Sequence, residues 1–144
     1  MAEHATYDDV NLILKLYELR REAKMREARA WFGTFKAGTM EEFNALCPPG
    51  SEHNAYFRMV TSYWEMVASF VTGGVLNGDL FYESGRELLF VWEKIRDLVP
   101  IFRETFKNPT LQKNMEAVAK LTIDKMNQES PDAYAAFSAR VRGM

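Results

Sequence analysis

Apolar residues recur along this chain at intervals of three and four, the period of helices, and nowhere alternate over a long run as strand residues do. The first such run begins after Thr6 or Asp8, whose side chains can accept from the free amides of a helix start. It extends toward Lys36, where Ala37-Gly38 ends it. At about 100° per residue this helix carries two apolar stripes where a surface helix carries one. Val10, Ile13, Leu14 and Tyr17 form the first; Leu12, Leu16, Leu19 and Ala23 lie nearly opposite. Arg20, Arg21 and Lys24 interrupt the first stripe before Ala28, Trp31, Phe32 and Phe35 resume it. A helix apolar on two sides must be covered on two sides, by a central place in a bundle or by a second subunit.

Punctuation divides the rest. Thr39-Met-Glu-Glu42 has the capping-box pattern and predicts a short helix to about Leu46, stopped by Cys47-Pro-Pro-Gly50. Ser51 can cap a helix from about Glu52 to Thr72, ended by Gly73-Gly74. Its apolar arc takes in Tyr56, Phe57, Met59, Val60, Tyr63, Trp64, Val67, Phe70 and Val71, which predicts the most buried helix of the fold. Asp79 can cap a turn from Leu80 to Glu83, and Ser84-Gly-Arg-Glu87 reads as a second capping box opening a helix to about Leu98; the two fit one helix equally well. Pro100 suits the first turn of another short helix to about Lys107, or a kink in a longer one. After Asn108-Pro109, Thr110 caps a helix with Leu111, Met115, Val118, Ala119, Thr122 and Met126 on one face, and Ser130-Pro131 opens the last, with Tyr134, Phe137 and Val141.

The expectation is an all-α, single-domain bundle of about six to seven amphipathic helices, two of them short, over residues 1–144 with 1–6 and 143–144 frayed. No break is longer than about six residues, so no domain boundary is indicated. Trp64-Glu65-Met-Val67 and Trp92-Glu93-Lys-Ile95 echo one another, as any two amphipathic helices with a core tryptophan will.

Composition supports a packed core: 47% of residues are hydrophobic, including ten Phe, six Tyr and three Trp. A net charge of −2 gives no general pull toward polyanions. The basic residues between Lys15 and Lys36 spread around their helix among Glu18, Glu22 and Glu27, a pattern of ordinary ion pairs that argues against a nucleic-acid partner. The start of the chain has no signal-peptide pattern, and the longest low-charge stretch, residues 55–76, is interrupted by Arg58, Glu65 and Gly73-Gly74. With the single cysteine Cys47, this points to a cytoplasmic protein with no membrane partner.

Candidate chemistry is sparse. Glu65 and Glu93, each beside a tryptophan, invite an acid–base pairing, but both fall on the polar sides of their helices and read as solvated or ion-paired. No Glu-x-x-His motif exists for a di-iron bundle, and the two histidines are His4 near the terminus and His53 in a first helical turn. His53 with Glu52 and Glu3 makes at best a stray-ion site, so no metal and no cofactor are expected. Cys47 ends a helix, where thiolate is disfavoured, and reads as structural. Gly-x-Ser-x-Gly and phosphate-loop patterns are absent.

Leu14-Lys-Leu-Tyr-Glu-Leu-Arg-Arg21, Ser62-Tyr-Trp-Glu65, and Leu89-Phe-Val-Trp-Glu-Lys-Ile95 followed by Phe106-Lys-Asn-Pro109 resemble segments of small, uncharacterised all-helical bacterial proteins of unknown function. The resemblance extends to about residue 115 and implies a bacterial origin and a fold without assigned chemistry. It brings no activity or catalytic residue.

The function is therefore unknown from sequence, and the expectation that the residues favour is a non-enzymatic interaction or assembly protein. Val10, Leu12, Ile13, Leu14, Leu16, Tyr17 and Leu19 would form the interface of a homodimer. The alternative is a regulatory domain that binds a small molecule in an aromatic-lined pocket built from Tyr56, Tyr63, Trp64 and Trp92, with Arg58 or Arg86 at its edge for an anionic group.

Overall fold

The computed structural model describes residues 4–144. Among them are nine α-helices and no strand: α1 (Tyr7–Arg20), α2 (Ala23–Phe32), α3 (Met40–Leu46), α4 (Glu52–Thr72), α5 (Gly78–Ser84), α6 (Glu87–Ile95), α7 (Val99–Thr105), α8 (Lys113–Glu129) and α9 (Ala133–Arg142). The fold is all-α as expected, with two or three more helices than the pattern suggested. The fraying expected over residues 1–6 falls partly on residues 1–3, which lie outside the described residues, whereas Thr6 is the N-cap of α1.

The extra helices arise where tertiary contacts override local preference. Arg20, Arg21 and Glu22 are good helix formers, yet the expected first helix is two. Glu22 turns extended, and its side chain accepts from the Met25 amide to cap α2. The carbonyl of Arg20 released by the break is taken by Arg29 Nη1 at 3.2 Å, while Arg29 Nε and Nη2 grip both oxygens of Glu87 at 2.8 and 2.7 Å. One guanidinium thus joins the corner between α1 and α2 to the start of α6. Glu87, engaged there, does not complete a capping box with Ser84, and residues 79–99 divide into α5, α6 and the start of α7. Asn77, and not Asp79, caps α5. Pro100 sits in the first turn of α7, as its ring geometry favours.

Helix α4 begins and ends where its punctuation indicates. Ser51 Oγ accepts from the Asn54 amide, and Gly74, at φ +78°, takes the left-handed turn that lets the Val75 and Leu76 amides close on the Phe70 carbonyl. It packs against α2, α8 and α6, and α6 and α8 in turn hold α9. The core runs through Phe32, Phe35, Val60, Trp64, Val67, Leu88, Leu89, Ile95, Leu98 and Met115. The most buried helix is α6, not α4: six of its nine residues are buried, Glu93 among them.

The start of α8 corrects a further expectation. Thr110 does not cap it; Gln112 does, in a left-handed conformation and without a side-chain capping bond. The missing acceptor comes from another helix. Glu65 on α4 accepts from the Met115 amide at 2.8 Å, the Asn114 amide at 3.2 Å and Asn114 Nδ2 at 2.8 Å, filling the role of an N-cap across the helix interface.

Candidate functional site

Helix α1 lies on the bundle with fewer apolar contacts than its sequence offers. Leu16 is its one buried apolar side chain; Leu12 and Ile13 are half-buried, and Val10, Leu14, Tyr17 and Leu19 are exposed. Its start is held by Asp9, whose carboxylate accepts from the amides of Thr6 at 2.7 Å and Asn77 at 2.8 Å. Those backbone donors hold the Asp9 carboxyl below its ordinary value.

Between α1, α4 and α5 a cavity of about 200 Å³ remains. Ile13, Leu14, Leu16 and Tyr17 roof it, Tyr63, Trp64 and Val67 form its floor, and Phe81, Ser84 and Gly85 close one side. Gly85 is required here, because a Cβ at this position would stand 2.3 Å from the ring of Phe81. The Tyr63 hydroxyl donates to the Leu16 carbonyl and so ties floor to roof. Burial pushes the Tyr63 phenol up to about 12, against the opposing pull of Arg20 and Arg29, so it stays a donor at neutral pH. Trp64 is fully buried, and its indole N–H has no acceptor among the described residues. Such an unpaired donor costs about 1–3 kcal/mol.

Arg20 is the one charged residue in the lining. Its guanidinium carbon lies 5.0 Å from the ring centre of Tyr17 and 5.3 Å from that of Trp64, within cation–π range of both. Three roomier depressions offer less, and in the one of about 270 Å³ the charged residues Arg29 and Glu87 are already paired with each other. The one of about 540 Å³ beside residues 71–79 is polar, with Asp9 already bonded and Asp79 paired to Lys125. The one of about 380 Å³ between α5 and α8 has a mixed lining that also includes Asp79 and Lys125.

Of the pocket residues expected from sequence, the cavity brings together Tyr63 and Trp64. Tyr56 is buried near Trp31 and His53 under the Lys24 ammonium. Arg58 is exposed and donates to Asn54, and Trp92 is in the core on α6. Arg20 was missed because it was read as an interruption of a stripe. Its spacing of three from Tyr17 and four from Leu16 was the available signal, since residues so spaced share a helix face.

The two carboxylates have separate partners. Glu65 caps α8, whereas Glu93 is buried and receives Tyr134 Oη at 2.6 Å, Ser138 Oγ at 2.5 Å and Arg142 Nε at 3.1 Å. Glu93 is therefore ion-paired, as expected, but internal and not solvated. Burial alone would raise its carboxyl, yet the bonds from Ser138 and Tyr134 with the charges of Arg96 and Arg142 outweigh it, and the group sits below 4.5. Cys47 is a buried free thiol pushed up to about 11 by burial. His53 stacks on Trp31 at 5.0 Å, and Glu3 lies outside the described residues. Among the described residues no group of three or more His, Cys, Asp or Glu is placed to hold a metal ion, and no helix is long and apolar enough to cross a membrane.

The family model described as "Domain of unknown function (DUF4760)" matches residues 5–124. The chain belongs to this family. No curated protein and no solved structure matches it. The DUF4760 match includes every helix that lines the cavity and ends before α9. The uncharacterised helical proteins that the sequence resembled are accordingly a family of unknown function.

Proposed function

We propose that this protein is a non-enzymatic binding module and that its ligand site is the cavity beneath α1. The observation that carries this reading is an almost wholly apolar, half-open cavity of about 200 Å³, roofed by a helix with one buried apolar side chain. An engineered apolar void of about 150 Å³ is enough to hold benzene. Thermal-shift measurements against small aromatic and branched aliphatic compounds test it, with Ile13→Trp as the variant that fills the void. A ligand that raises the melting temperature of the wild type and not of Ile13→Trp is the expected result. If no such compound shifts the wild type, the reading fails.

A second reading has its own observation. Leu14, Leu19, Tyr17 and Val10 stand 55%, 47%, 45% and 39% exposed along α1, and a two-fold pairing of α1 with its copy would cover them. Light scattering at rising concentration is the test: Leu14→Glu should dissociate the dimer, and a wild type that stays monomeric removes the reading. A cytoplasmic setting accompanies both readings, supported by a sole cysteine kept as a buried thiol.

A further inference from the structure

We infer that the ligand of this cavity is a small carboxylate: one apolar group the size of a single aromatic ring or a short branched chain, carrying one negative charge. This rests on the reading of the cavity as a ligand site and adds the chemistry of its occupant.

The charge follows from Arg20. Of the four half-buried arginines, Arg29, Arg96 and Arg103 each lie within ion-pair distance of a glutamate, whereas Arg20 has no acidic partner among the described residues. A guanidinium removed in part from water without a counter-charge is the unusual case, since the cost of desolvation is ordinarily offset by pairing. The rings of Tyr17 and Trp64 lie 5.0 and 5.3 Å from its Cζ, and its N–H groups donate to no carboxylate among the described residues. A planar fork of donors matches a carboxylate in geometry as well as in charge. Two carbonyls in the last part of α1, which would oppose an anion, are already occupied: Leu16 by the Tyr63 hydroxyl and Arg20 by Arg29.

The size follows from the void. About 200 Å³ seats one ring with a short linker, whereas most of a long acyl chain would be left outside in water. A lone cation with no second basic residue in the lining suits a monoanion better than a phosphate dianion.

The test is an isosteric series of phenylacetate, phenylacetamide and phenethylamine. Their binding is titrated on the full chain while the indole N–H signals of the three tryptophans, assigned by Trp→Phe substitution, are followed by NMR. Phenylacetate is expected to move the Trp64 signal and to bind about tenfold tighter than the amide, the scale of one charge-assisted hydrogen bond, with the amine weakest. Arg20→Gln should lower the affinity for the acid to that for the amide and so erase the preference; Arg20→Lys should retain part of it. Equal binding of acid and amide by the wild type overturns the carboxylate inference and leaves the cavity standing as a ligand site. If no member moves the Trp64 signal, the cavity reading itself fails. If Arg20→Gln keeps the preference, Arg20 is not the anion's partner. The comparison within the wild type decides the charge question even if that variant does not fold.

Discussion

The first and last helices, α1 and α9, rest on the same bundle differently: single bonds at Asp9, at the Leu16 carbonyl and at the Arg20 carbonyl tether α1, whereas several bonds of α9 converge on one buried carboxylate. Helix α1 is rich in apolar residues, yet buries one of them, Leu16, and leaves a void beneath. Helix α9 also buries one apolar side chain, Val141, but is fixed by directed bonds. Tyr134, Ser138 and Arg142 converge on Glu93, Arg142 also reaches Asp97, Arg96 reaches the Tyr134 hydroxyl, and Lys36 Nζ reaches the Arg142 carbonyl. Apolar contact is non-directional and tolerates an imperfect fit, whereas hydrogen bonds with a buried carboxylate specify one position. The loosely fitted end is the one suited to admit a ligand.

The sharpest way to break this contrast is Glu93→Ala. It removes the buried carboxylate that accepts from Tyr134, Ser138 and Arg142 and should lower stability by about 3 kcal/mol, the scale of hydrogen bonds to a charged group, with amide exchange rising first across residues 133–142. An α9 that keeps its protection would show that Val141 and its half-buried neighbours suffice. Next comes Leu16→Ala, expected to cost about 2 kcal/mol in urea unfolding, the lower end for a buried leucine because the site borders an existing void. Its exchange should rise in α1 and leave α9 unchanged; a matching rise in α9 would mean that the two ends are not independent. The smallest effect is that of acid. Because the Glu93 carboxyl lies below the ordinary 4.5, its contribution is complete above that value and is lost as pH falls through the lower, folded-state value. The NMR signals of α9 should therefore fade at a higher pH than those of α4. Asp9 is shifted the same way and should weaken the first turn of α1 in the same range.

What was legible in the sequence was local. The bounds of α4 follow from Ser51 and Gly73-Gly74, which act on their own neighbours, and the all-helical class follows from period alone. What was not legible depended on partners distant in sequence. The break after Arg20 has no Gly or Pro to announce it and is held by Arg29 and Glu87. The polar helix face of Glu93 indicates a solvated or ion-paired carboxylate; it is ion-paired, but α9 brings its own polar side chains to cover it, so it is internal. In the cavity, Tyr63 and Trp64 were found by their aromatic arc, and Arg20 was passed over because its lack of a partner is a property of the fold. The two apolar stripes of α1 do not separate in the fold: Ile13 of one and Leu16 of the other both roof the cavity, while Val10 of one and Leu19 of the other are both exposed.

The cap that α4 lends to α8 bears on the order of assembly. With Gln112 in a left-handed turn and no local acceptor, residues 113–115 have no reason of their own to begin a helix where they do. An isolated segment spanning residues 108–130 should start its helix at Thr110, the residue whose side chain is suited to the task. In the whole protein that start shifts to Lys113 because Glu65 waits opposite. The register of α8 is thus written on another helix, and becomes fixed only when the two have docked.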